Sequence, residues 1–93
     1  MKYIDLKEIY ENIMAAPYRN YDGNNVTLNE ILEEENLTED YKKDKIYFTV
    51  HCQYFFVLAS EGKTESEIEE WINQISNEVY ETYQKELKNK KRL

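Results

Sequence analysis

Apolar residues recur at helical spacing near the start of the chain. Leu6, Ile9, Tyr10, Ile13 and Met14 fall at i, i+3, i+4, i+7 and i+8, one face of a helix. Asp5 stands where an N-cap belongs. Pro17, after Ala15-Ala16, ends the segment, because proline disfavours helical geometry in the residue before it. Residues 17–26 then lose the periodicity, and Asp22-Gly23 supplies turn chemistry. A short hairpin of 18–21 against 24–28 is the alternative there. Its flanks lack alternation, so a loop is expected. Thr27-Leu28-Asn29-Glu30 reads as a capping box opening a short helix, with Ile31, Leu32 and Leu37 facing inward.

The segment 45–60 supports two readings. Ile46, Phe48, Val50 and Cys52 alternate with Tyr47, Thr49, His51 and Gln53, the period of a strand. The apolar run then continues through Tyr54, Phe55, Phe56, Val57, Leu58 and Ala59 without a turn residue, longer than the usual strand of about 3–10 residues. A helix explains the ends better. Thr38 caps its start, and Gly62 suits the left-handed position past its end. Phe48, Cys52, Phe55, Phe56 and Ala59 form its apolar stripe, with Tyr47, Tyr54 and Leu58 beside it. A helix apolar nearly all round belongs at the centre of a bundle.

The last segment is the clearest. Thr64-Glu65-Ser66-Glu67 is a second capping box, and Ile68, Trp71, Ile72, Ile75, Val79, Tyr83 and Leu87 keep a 3–4 spacing behind it. The reading that follows is one domain over residues 1–93, mainly α, a small bundle of three to four helices with a basic C-terminal tail at 88–93. The alternative is α+β, with 45–60 as one or two strands packed against the helices.

Composition changes this picture little. At 93 residues there is room for one modest core, and 41% hydrophobic content is too high for a disordered chain. With a single cysteine, no intramolecular disulfide forms. The first residues lack a signal-peptide pattern and no apolar run reaches membrane-spanning length, so a cytoplasmic protein is expected.

Catalytic chemistry finds little support. His51 and Cys52 are adjacent, which sets them on opposite faces of a strand or about 100° apart on a helix, poorly placed to share a proton. Cys52 lies in the most apolar stretch and reads as a core thiol beside a half-exposed histidine. One histidine and one cysteine give no zinc set, and the acids of 30–40 miss the calcium-loop spacing. With only Gly23 and Gly62 there is no phosphate loop. No enzyme activity, metal or cofactor is expected.

Charge carries the functional reading. Residues 1–84 hold 18 acids against 7 bases, a net of −11, while 85–93 hold 5 bases against Glu86, a net of +4. The acids cluster: Glu30, Glu33, Glu34, Glu35, Glu39 and Asp40, then Glu61, Glu65, Glu67, Glu69 and Glu70. An acidic body opposes approach to a phosphate backbone, so direct binding of nucleic acid is not expected.

A short, acidic chain with nine tyrosines, rich in Asn, Lys, Glu and Ile, with capped helices and no active-site motif, resembles the small phage proteins that disarm bacterial defences, anti-CRISPR proteins and DNA-mimic inhibitors among them. The resemblance is one of profile over the whole chain, and no residue correspondence comes with it. It implies a non-enzymatic inhibitor docking an acidic helical face on the basic nucleic-acid-binding cleft of a host protein such as a CRISPR nuclease. Glu30, Glu33, Glu34, Glu35, Glu39, Asp40 and Tyr41 are the candidate contact residues. The alternative is a homo-oligomeric helical assembly module, in which the aromatic run 46–59 or the stripe of 64–87 is shared between subunits and the acids only solvate.

Overall fold

The computed structural model describes residues 5–20, 22–34 and 36–91, with side chains through residue 89. Among these, four helices and one strand pair follow in the order α1 (Leu6–Met14), β1 (Pro17–Arg19), β2 (Asn25–Thr27), α2 (Leu28–Leu32), α3 (Glu39–Ser60) and α4 (Glu65–Lys91). The chain is mainly helical, as the periodicity predicts. The basic run at 88–93 continues α4 as far as Lys91, and Arg92 and Leu93 lie outside the described residues.

Local chemistry sets the helix boundaries. The Asp5 carboxylate accepts from the Lys7 amide at 3.2 Å. Thr27 Oγ1 accepts from the Glu30 amide at 3.2 Å, and Glu30 Oε1 accepts from the Thr27 amide at 3.3 Å, a complete capping box. Thr64 and Glu67 repeat the arrangement at 3.2 and 3.0 Å. Thr38 Oγ1 accepts from the Tyr41 amide at 3.1 Å. Such caps contribute about 1 kcal/mol each. At the end of α3, Gly62 takes φ +86°. Its amide donates to Ala59 O at 3.1 Å and the Lys63 amide donates to Leu58 O at 3.2 Å. This Schellman closure turns the chain sharply into α4.

Residues 45–60 are helical, which removes the strand alternative for that segment. The buried face, however, is not the expected one. Ile46, Thr49, Val50, Tyr54 and Leu58 are buried. Phe48 is 54% exposed and Phe56 79% exposed. Cys52 and Ala59 are exposed and Phe55 is half-buried. The segment carries two apolar stripes on opposite sides, and tertiary packing decides between them. On one side α4 lies antiparallel to α3, because partners in α4 fall in number as those in α3 rise: Lys42 sits over Tyr83, Lys43 over Tyr80, and Tyr54 packs on Trp71 at 5.4 Å. On the other side, among the described residues, the hairpin and α1 reach only the edge at Thr49 and Gln53. The helix is therefore half-covered rather than central to a bundle.

The hairpin set aside on sequence grounds is present. β1 and β2 pair antiparallel with Tyr18 opposite Val26. Asn20 Oδ1 accepts from the Asp22 and Asn24 amides, both at 3.0 Å, and Gly23 adopts φ +79° in the turn. The Leu28 amide adds a further bond to Ala16 O at 3.0 Å. Three-residue strands are too short to show alternation, which is why the pattern missed them. Tyr21, at the end of the expected first strand, lies outside the described residues.

One cluster of buried side chains forms the core. Ile9, Ile13 and Met14 come from α1, Leu28 and Leu32 from α2, Ile46, Val50, Tyr54 and Leu58 from α3, and Ile68, Ile72, Val79 and Tyr83 from α4. Leu37 and Ile31 are half-buried. Among the described residues no helix is long and apolar enough to cross a membrane.

Candidate protein-interaction surface

The outward face of α3 departs from an ordinary solvated surface. At 100° per residue, positions 48, 52, 55, 56 and 59 fall within an arc about 100° wide, opposite the buried line 46, 50, 54 and 58. Between Tyr47 and Ser60 the helix carries no Asp, Glu, Lys or Arg. Rings run from this side round to the α4 side, where Tyr47 and Phe55 pack against the core. His51 stacks on Phe55 with centroids 5.0 Å apart, Phe55 meets Phe56 edge-on at 5.8 Å, and Tyr47 lies 6.4 Å from His51. Phe48 and Phe56 together expose on the order of 250 Å² of ring, taking about 200 Å² as a full aromatic side chain. That area is within the range an ordinary monomer exposes, so what sets the face apart is its lack of charge and its aromatic content.

A groove alongside the stripe is lined by Ala16, Pro17, Tyr18, Phe48, Cys52 and Gln53 among others. The thiol of Cys52 opens onto it and is exposed. The expectation of a core cysteine is thus corrected: the residue sits on the apolar stripe that packing left uncovered. His51 is half-buried on the flank, as expected. Among the described residues no group of three His, Cys, Asp or Glu side chains is placed to hold a metal ion.

The acidic candidates fall into separate surroundings. Glu30 is exposed and engaged in its capping box. Glu33 lines an open groove of about 380 Å³ between α1 and α4, with Tyr10, Glu11, Tyr83, Glu86 and Leu87. Glu34 and the 45% exposed Tyr41 line a different groove, shared with the bases Arg19 and Lys45. Glu39 turns towards α4, where Glu39 Oε2 accepts from the Tyr80 hydroxyl and, at 2.7 Å, from Gln84 Nε2; Glu39 Oε1 lies 3.6 Å from Lys42 Nζ. The Tyr80 hydrogen bond is the main cause holding the Glu39 carboxyl below its ordinary pKa. Asp40 is exposed in the first turn of α3, and Glu35 lies outside the described residues.

Sequence reasoning named every residue of the aromatic stripe but assigned it to the interior. No protein-family model matches the chain, and comparison with curated proteins and with solved structures finds no similar one.

Proposed function

We propose that the chain is a non-enzymatic protein-binding module whose contact surface is the outward face of α3. One observation carries this reading: Phe48 and Phe56 stand 54% and 79% exposed on an uncharged stripe, while the opposite stripe of the same helix fills the core. Covering apolar area of this kind stabilises a complex by roughly 25 cal/mol per Å² before the costs of association. The aromatic content of the stripe matches the residues that dominate binding energy at interfaces. An exposed free thiol persists in a reducing compartment, which accords with a cytoplasmic location.

The test is binding measured with F48E and F56E beside the acidic reversal E33K/E34K/D40K. Loss of binding in the phenylalanine variants, with retention in the acidic reversal and at 0.5 M NaCl, supports the reading. The opposite pattern overturns it.

That opposite pattern defines the second reading, an acidic inhibitor of a basic nucleic-acid-binding cleft. What favours it is Tyr41, exposed beside Asp40 and sharing a groove with Glu34. A contact made through those carboxylates weakens steeply with salt.

A further inference from the structure

We infer that the groove between α1 and α4 binds a small organic polycation, an aliphatic polyamine whose ammonium groups meet the carboxylates of the rim while its methylene stem lies along the apolar floor. Among the described residues none of α3 lines this groove, so it stands apart from the outward stripe and from the binding-module reading.

Shape and charge agree on that occupant. The groove holds about 380 Å³, within the range of small-molecule sites. Its wall comes from three elements: α1 contributes Glu11 and Met14, the C-cap of α2 contributes Glu33, and α4 contributes Glu86 and Leu87. Carboxylates therefore enter from three directions around thioether and methyl groups. No Lys, Arg or His side chain lines the groove among the described residues. A hydrated metal ion gains nothing from an apolar floor and gives up its water reluctantly. An ammonium on a methylene stem uses both parts of the site, as a lysine side chain does when its stem lies on apolar surface and its head meets polar groups.

The rest of the fold shows what the groove lacks. Elsewhere tyrosine rings carry a lysine of the same chain: Lys42 lies 5.9 Å from the centre of Tyr83, Lys43 5.1 Å from Tyr80, and Lys45 4.3 Å from Tyr18. Tyr10, half-buried in the groove wall, has no cation over its ring among the described residues. A cation within about 6 Å of that ring is attracted to its face. The phenols register the same imbalance. Burial first, then Glu86 and Tyr83, raises the Tyr10 pKa above its ordinary value, and burial first, then Glu33 and Glu39, raises that of Tyr83. The charges acting on both phenols are negative, the field a cation answers.

Calorimetric titration of the full chain in 0.1 M NaCl tests the site, with 1,4-diaminobutane, spermidine and MgCl2 as the probes. The diamine carries the same charge as Mg²⁺ but adds a stem, so the pair separates stem from charge. The diamine is expected to bind at one site at least about tenfold more tightly than Mg²⁺, and spermidine more tightly still. Glu11 and Glu86 are exposed, so E11Q/E86Q keeps the fold, and it should weaken the diamine by about tenfold or more. E69Q/E70Q removes the same two charges near the other end of α4. Glu70 lies about 24 Å along the helix from Glu86. That is beyond the screening length of about 10 Å, so this control should change affinity by less than about twofold.

Mg²⁺ binding as tightly as the diamine means diffuse attraction to an acidic chain and overturns the inference. So does an equal loss in E69Q/E70Q, or the absence of saturable binding up to about 10 mM diamine. None of these outcomes bears on Phe48 and Phe56.

Discussion

The Tyr18 hydroxyl lies 2.6 Å from Thr49 Oγ1, joining the hairpin to the middle of α3 across 31 residues of sequence. Thr49 Oγ1 also lies 2.8 Å from Lys45 O, a carbonyl that only accepts. The single threonine proton goes to Lys45 O, so Tyr18 donates to Thr49. The Lys45 ammonium completes the clamp, 4.3 Å from the centre of the Tyr18 ring. Tyr18 thus fastens the hairpin to the Thr49 edge of α3, beside the exposed Phe48 and Cys52.

Removing the donor alone tests the clamp. Y18F keeps the ring and the cation contact and should cost about 1 kcal/mol in urea unfolding. Y18A removes all three and should cost about 2–4 kcal/mol. Equal losses in the two variants would show that the hydroxyl, and not the ring, does the fastening.

Tyr83 sets an alkaline limit on stability. Its hydroxyl donates to Leu32 O at 3.1 Å inside the core, tying α4 to the end of α2. Burial first, then the charges of Glu33 and Glu39, raise its pKa above the ordinary value. The neutral phenol is the folded form, so this stabilisation is complete below about pH 10 and declines as pH rises through the raised folded value. Tyr10 is raised for the same leading reason and adds to the trend. Y83F should lose about 1 kcal/mol at neutral pH by leaving Leu32 O unpaired, and its stability should fall less between neutral pH and pH 11 than that of wild type. A steeper alkaline loss in Y83F than in wild type would refute this.

Ser76 marks a site where the sequence is not optimal for its own fold. The residue is 6% exposed within α4, and its hydroxyl has no hydrogen-bond partner among the described residues. S76A removes a buried, unpaired polar group and substitutes the best helix former. A stabilisation of about 0.5–1 kcal/mol is expected, seen as a rise in Tm of roughly 2–6 °C.

Gly62 is required by its backbone and not by crowding. It holds φ +86°, and a Cβ built there meets no atom within 4 Å. G62A should therefore cost about 1 kcal/mol from left-handed strain alone. G62N should cost less, because asparagine tolerates that region better. If the two variants are equally stable to wild type, the Schellman closure does not set the α3–α4 turn.

The boundaries of this fold were legible because capping is local chemistry. Asp5, Thr27, Thr38, Thr64 and Gly62 each act over two to four residues, and each does what its sequence context predicts. The faces of α1 and α4 were legible because only one side of each is apolar. α3 was not, because its interior line of Ile46, Val50, Tyr54 and Leu58 and its exterior line of Phe48, Cys52, Phe55 and Ala59 are both apolar at helical spacing. Aromatic bulk favoured the wrong side. The acidic candidates, read as one block along the chain, part company in space because Glu39 turns to Tyr80 while Glu34 turns to the hairpin groove.

The two lines of α3 make opposite predictions about stability, and that contrast tests the orientation of the helix itself. Ile46 and Leu58 are 0% and 2% exposed, so I46A or L58A should cost about 2–5 kcal/mol through lost burial and the cavity left behind. Phe56, at 79% exposure, has little to lose on folding, so F56E in dilute solution should change stability by no more than about 0.5 kcal/mol. Had aromatic bulk decided the packing, the order would invert: a carboxylate at 56 would be buried unpaired and the chain would unfold. Denaturant midpoints for L58A and F56E separate these outcomes. A folded F56E that no longer associates means the phenylalanine acts on a partner's surface and not on the core. An unfolded F56E means that α3 is turned the other way, and the uncovered stripe with everything built on it falls.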